Sequence, residues 1–106
     1  MASYYSLSEQ FFNALYGKDI DNLSDLLYKY PFLATKSISC VTPLYIATST
    51  SKIDLAFITI LLENGAHKDI NVPSYETNRT PVDNLDYYNV PNKREILKLF
   101  SKYTFV

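Results

Sequence analysis

The sequence predicts an all-α protein made of three helix-turn-helix pairs, which are joined by short, hairpin-like connections. Apolar residues recur at relative positions 0, 3, 6 and 7 in stretches that begin at Ile20, Leu55 and Lys93, with Lys93 as the single polar exception. This spacing places them on one face of an α-helix. A Thr-Pro-aliphatic triplet at Thr42 recurs 38 residues later at Thr80, and 38 also separates the second apolar stretch from the third. Two independent markers agree on one period, which predicts three repeats.

The first pair is expected to occupy residues of about 6–37. Ser6 to Glu9 has the Ser-x-x-Glu pattern of a capping box, which predicts that the first helix opens there. A turn follows that helix, and the side chain of Asp19 is expected to cap the second helix. The second helix should stop before Pro31, because proline lacks the N–H that a helix interior requires.

The second pair, at about 38–76, and the third, at about 77–106, are expected to open with the same chemistry. The hydroxyl of Thr42 can cap a helix, and Pro43 suits the first helical position because it has no N–H to satisfy. Thr80 and the proline after it predict the same start for the third pair. Gly65 is expected to end the longer helix of the second pair, because glycine readily takes the left-handed conformation past a helix end.

These motifs resemble the ankyrin repeat. The pattern T-P-L-x-x-A begins at Thr42, and L-L-x-x-G-A follows from Leu61. The resemblance covers nearly the whole chain and implies one domain, 1–106, built as an ankyrin-repeat solenoid that binds a protein through its concave face. The sequence departs from the family where Tyr45 replaces the usual His and Leu85 the expected Ala, and Cys40 stands where the hairpin usually has Gly.

Composition excludes several function classes. A formal net charge of −1 creates no positive field that would attract nucleic acid or an anionic membrane. A single cysteine cannot form an internal disulfide and favours a cytoplasmic protein. No basic region followed by an apolar run opens the chain, so no signal peptide is predicted. The apolar run from Leu55 to Leu62 is too short to cross a bilayer. We therefore expect neither a nucleic-acid nor a membrane partner.

No catalytic or metal-binding constellation is predicted. His67 is the only histidine and Cys40 the only cysteine, and one of each cannot supply the four ligands of a usual zinc site. Asp19 is expected to cap a helix, and Asp21 and Asp25 are expected to face solvent. A calcium site is not expected, because no glycine-containing calcium loop follows them. The expectation is a protein that is not an enzyme and binds no cofactor. A small thiol-dependent enzyme that uses Cys40 is the less favoured alternative.

The ankyrin resemblance implies that a partner contacts the tips of the hairpin-like connections and the first helix of each pair. Mapped residue by residue, the resemblance implicates ten positions: Lys36, Ile38, Val41, Tyr45, Ser49, Tyr75, Glu76, Arg79, Tyr87 and Tyr88. It also points to Tyr16 and Thr50, at the ends of first helices.

Four of these ten positions, Tyr75, Arg79, Tyr87 and Tyr88, are expected to form an aromatic patch that contains one fixed cation. Tyrosine and arginine are both enriched at protein interfaces and at binding hot spots. By contrast, Tyr28 and Tyr30 are expected to pack between repeats. The expected function is that of a monomeric module that binds and masks or inhibits a partner protein, as an immunity protein, an antitoxin or an inhibitor of a host factor would. The alternative is a structural assembly subunit or an adaptor.

Overall fold

The computed structural model describes residues 4–37 and 41–104. Within these residues the chain forms helices and no β-strand, which confirms the all-α prediction. The six α-helices are α1 (Tyr4–Tyr16), α2 (Ile20–Lys29), α3 (Pro43–Ala47), α4 (Leu55–Glu63), α5 (Pro81–Tyr87) and α6 (Lys93–Thr104), and two 3-10 helices span Pro31–Thr35 and Ala66–Asp69.

The helices pack as three successive pairs. α1 contacts α2, α3 contacts α4, and α5 contacts α6. Between pairs, the first helices contact one another in the order α1, α3, α5, and the second helices in the order α2, α4, α6. The molecule accordingly measures 42 × 27 × 26 Å, with one long dimension.

One core runs through all three pairs. It contains completely buried side chains from every α-helix: Phe11, Leu23, Leu44, Ile58, Leu61, Leu85 and Ile96. Leu23, Ile58, Leu61 and Ile96 sit at positions of the repeated apolar stripes, so in α2, α4 and α6 the 3.6-residue period determines which face of the helix turns inward. None of the helices in the described part of the chain has the length and apolar composition of a membrane span.

The predicted helix caps are present. The Asp19 carboxylate accepts the N–H of Asn22 at 3.2 Å, which starts α2. The Thr42 hydroxyl accepts the N–H of Tyr45 at 3.2 Å. Thr80 and Asp83 form a reciprocal capping box at the start of α5, in which the side chain of each accepts the backbone N–H of the other. These caps satisfy N–H groups that the first turn of a helix leaves without partners.

The end of α4 also follows the prediction. Gly65 has φ of 108°, in the left-handed region, and the 3-10 helix Ala66–Asp69 begins directly after it. No sequence pattern predicts this 3-10 helix or the other, which Pro31 opens after α2 has ended at Lys29. Proline suits that first helical position, so the residue that stops one helix starts the next.

Two local expectations are wrong, namely the start of α1 and the packing of Tyr28 and Tyr30. Ser6 lies inside α1, which begins at Tyr4, so the Ser-x-x-Glu pattern does not open the helix. Leu55 is half-buried and packs against the core as its place in the apolar stripe predicts, and Phe57 of the same helix, which is not a stripe position, joins the core. Tyr28 does not pack between repeats but is 88% exposed, while Tyr30 is 39% exposed. Tyr28 follows the buried Leu27, and one step along an α-helix turns the side chain by about 100°, away from the core.

Candidate partner-binding face

An open groove of about 380 Å³ lies beside α3. Three segments line it: the end of α1 with the turn after it, α3 with the connection into the start of α4, and the connection that precedes α5. Four of the ten residues predicted to contact a partner line this groove, namely Val41, Tyr45, Ser49 and Glu76. Tyr16 and Thr50 line it as well. The tertiary structure therefore brings together positions that are far apart in the sequence.

Tyr45 forms the most constrained part of the wall. It is only 7% exposed, so most of its ring is a packing surface. Its hydroxyl lies 2.6 Å from the Thr77 hydroxyl and accepts an N–H from Nη2 of Arg79 at 3.3 Å. Its backbone carbonyl accepts the hydroxyls of Ser49 at 2.7 Å and Thr48 at 3.0 Å. Tyr45 is thus held at both ends, which gives the groove a fixed wall.

Asn84 connects this wall to the third helix pair. It is completely buried in α5. Its Nδ2 lies within donating distance of the Tyr45 carbonyl at 3.3 Å and of the hydroxyls of Thr48 at 3.1 Å and Ser49 at 3.3 Å. Its Oδ1 accepts the Nε–H of Arg79 at 3.1 Å. A buried amide is stable in the core only when such partners satisfy it, so Asn84 joins α5 to α3 in one register.

Arg79 lies at the edge of this network and is stacked on aromatic rings. Its Cζ is 3.7 Å from the ring centroid of Tyr87 and 5.9 Å from that of Tyr88. The two rings meet edge to face at 4.9 Å. Three of the four residues of the aromatic patch therefore lie together. The fourth, Tyr75, is 84% exposed and makes no ring or cation–π contact with any described residue.

The remaining predicted positions are dispersed or lie outside the described residues. Ile38 belongs to the part of the chain that the structure does not describe, as does Cys40. Lys36 is half-buried just after the 3-10 helix Pro31–Thr35 and does not line the groove. Tyr87 is 64% exposed, whereas Tyr88 packs partly against the core.

Sequence reasoning missed several residues of this face. Asn84 is the most informative, because the 38-residue period aligns it with Ile46, and a polar side chain at an apolar position of a repeat is a signal for a buried hydrogen-bonding role. Lys18 and Lys52 also line the groove, and Lys18 Nζ donates to the Lys52 carbonyl at 3.1 Å. They follow the first helices of the first and second pairs, and they lie 34 residues apart, so the 38-residue period does not pair them. Thr77 offered no comparable signal.

The lone histidine lies away from the groove, in the 3-10 helix Ala66–Asp69. His67 Nδ1 and Asp69 Oδ2 are buried and have no hydrogen-bond partner. Burial raises the pKa of the Asp69 carboxyl above its ordinary value, and the charges of His67 and Lys68 act in the opposite direction. Among the residues that the structure describes, no three His, Cys, Asp or Glu side chains cluster as metal ligands would.

Comparison of this chain with protein-family models, with curated proteins and with solved structures found no match. The ankyrin resemblance therefore depends on the motifs at Thr42 and Leu61 alone.

Proposed function

We propose that this chain is a protein-binding module of the ankyrin type, in which three divergent repeats stack into a short solenoid and a partner protein lies in the groove beside α3. One observation carries the proposal: four of the ten positions that the resemblance implicates line a single open groove. The first helices contact one another in the succession α1, α3, α5, and the second helices in the succession α2, α4, α6. This arrangement supports a stack of repeats, in which each repeat contacts its neighbours.

The mechanism is occupation of the partner's surface by a preformed one. The walls of the groove come from helix termini and capped turns, and hydrogen bonds hold Tyr45 at its hydroxyl and its carbonyl. A surface ordered before binding loses little conformational entropy when the partner docks. The module acts by masking or inhibiting its partner and carries out no chemical step. A cytoplasmic location is part of the proposal, since Cys40 is the only cysteine.

The test places a photo-crosslinking aromatic amino acid at one of two exposed tyrosines. Tyr16 is 71% exposed and lines the groove, whereas Tyr28 is 88% exposed and does not. The purified 106-residue protein is added to an extract of the source cells and irradiated. We expect a discrete protein adduct from position 16 and none from position 28. Adducts of equal yield at both positions, or none at position 16, would contradict the proposal.

An assembly subunit is the second candidate, because a different surface also exposes aromatic rings. Tyr28 is largely exposed and Phe32 is 50% exposed, and the rings of Tyr30 and Phe32 meet edge to face at 6.4 Å. Aromatic side chains of this kind are enriched at protein interfaces. Light scattering distinguishes the two candidates: a mass that rises with concentration in the native chain, and does not rise in Tyr28→Ser, favours self-assembly.

A further inference from the structure

The guanidinium of Arg79 forms no ion pair with any described residue. The ion pairs between described residues are Lys29 with Asp25 and Lys93 with Asp86, and neither includes Arg79. The side chain is nevertheless half-buried. Partial burial of a cation without a carboxylate partner raises the free energy of the folded state. An anionic ligand could offset this cost by pairing with the guanidinium.

The surroundings of Arg79 fix its orientation and leave donors unused. One face of the guanidinium covers the Tyr87 ring, Nε donates to Asn84, and one Nη2 hydrogen donates to Tyr45. Arginine has five N–H donors, so both Nη1 hydrogens and the second Nη2 hydrogen have no partner among the described residues. These are the hydrogens with which arginine grips a carboxylate through two parallel bonds.

Arg79 is also continuous with the groove. Tyr45 and Thr77, which line the groove, are joined to the guanidinium through the Tyr45 hydroxyl. At the α1 end of the groove, Lys18 and Lys52 line its wall and form no ion pair within the described residues. The groove is also lined by the carboxylates of Asp54 and Glu76; Asp54 caps α4, where it accepts the Ala56 N–H at 2.9 Å.

The negative charge of Glu76 lies on the same connection as the positive charge of Arg79. Glu76 is exposed and lines the groove. An acidic ligand should therefore be attracted by Arg79 and repelled by Glu76, so that neutralising each residue changes affinity in opposite directions. This difference in sign provides a test that a purely apolar docking surface would not pass.

We propose that the partner presents an acidic protein segment, one carboxylate of which binds the free edge of the Arg79 guanidinium while the segment continues along the groove toward Lys18 and Lys52. This inference rests on the proposed function, and it adds the chemistry of the ligand. Preorganisation by Asn84, Tyr45 and Tyr87 means that binding need not order the arginine side chain.

The experiment uses a displayed library of random 12-residue peptides, selected on the immobilised 106-residue protein. We expect Asp and Glu to be enriched in the selected peptides relative to the starting library. One selected peptide is then compared with its Asn/Gln counterpart by fluorescence anisotropy. The neutral peptide should bind about tenfold more weakly or worse, as expected for the loss of a bidentate charged pair.

Variants of the protein locate the effect. Arg79→Lys should weaken the acidic peptide about tenfold, because a lysine keeps the charge but cannot form two parallel bonds. Glu76→Gln should strengthen binding by about twofold or more, through removal of a repulsive charge near the ligand. Lys98→Gln, which removes an exposed positive charge on α6, away from the groove, should leave the affinity unchanged. Circular dichroism verifies that each variant is folded, and Tyr87→Leu replaces Arg79→Lys if that variant is not.

Two results would overturn the inference. Selected peptides that are not enriched in acidic residues, or that bind equally well after neutralisation or in Arg79→Lys, exclude a carboxylate at Arg79. In that case a crosslink from position 16 to a partner protein would still support the proposed function. If no peptide is selected above an immobilised unrelated protein and position 16 yields no adduct, the inference and the proposed function fail together.

Discussion

Replacement of Asn84 by alanine is expected to lower the free energy of unfolding by about 2–4 kcal/mol. The amide is completely buried. Nδ2 has two hydrogens to share among three acceptors at 3.1–3.3 Å, and Oδ1 accepts from the charged Arg79 at 3.1 Å. Two neutral hydrogen bonds contribute about 1 kcal/mol each and one to a charged group about 1.5 kcal/mol or more. Arg79 is half-exposed and can regain water, which reduces the total.

The assay is urea unfolding followed by far-ultraviolet circular dichroism, with thermal melting beside it. For a domain of this size each kcal/mol lowers Tm by about 4–8 °C. Asn13→Ala is the matched control, because that side chain is exposed on α1, and its effect should stay within about 0.5 kcal/mol. Thr48→Val combined with Asn84→Ala should cost less than the sum of the two single changes, since the two residues share a hydrogen bond. A loss below about 1 kcal/mol for Asn84→Ala would refute the view that this amide joins α5 to α3.

Three further predictions concern the second helix pair. Leu61→Ala should lower the unfolding free energy by about 2–5 kcal/mol, because a completely buried leucine leaves a cavity; a loss below about 1 kcal/mol in urea unfolding would contradict this. Gly65→Ala should cost about 1 kcal/mol or more, because φ is 108° and the new Cβ would lie 3.4 Å from Cγ2 of Thr35; an unchanged urea midpoint would contradict it. Asp69→Asn should raise stability at pH 7 and have no such effect at pH 3. The raised pKa of Asp69 means that its favourable contribution is present below its ordinary value of 3.8 and is lost as pH rises through the folded-state pKa. Urea unfolding at both pH values tests this, with the exposed Glu9→Gln as control; parallel behaviour of the two variants would refute it.

Local sequence was sufficient to place the helices because the interactions that start and stop them are local. The cap at Asp19 reaches the N–H three residues ahead, and that at Thr80 does the same. Gly65 ends α4 through its own backbone conformation. The prediction failed at two helix starts. α1 begins before Ser6, and Pro31 opens a 3-10 helix that no periodic pattern predicted.

The candidate site could be predicted only in part, because exposure and pairing depend on neighbours that are distant in the chain. The ankyrin resemblance selected Tyr45, Ser49 and Glu76, which line the groove, but it also selected Lys36, which does not. It could not show that Tyr45 is mostly buried, since that depends on what packs against its ring.

The sequence by itself determined that the chain is helical, where most of its helices start and stop, and which face of α2, α4 and α6 is apolar, because these follow from spacing and from capping within a few residues. Only the tertiary structure decided the polar network and the groove. Asn84 reaches partners 35 to 39 residues away, and Arg79 reaches Tyr45 across 34 residues. Hydrogen bonds over such separations form only after the helix pairs have stacked. The physical reason is that a side chain's type is local information, whereas its partner is set by packing.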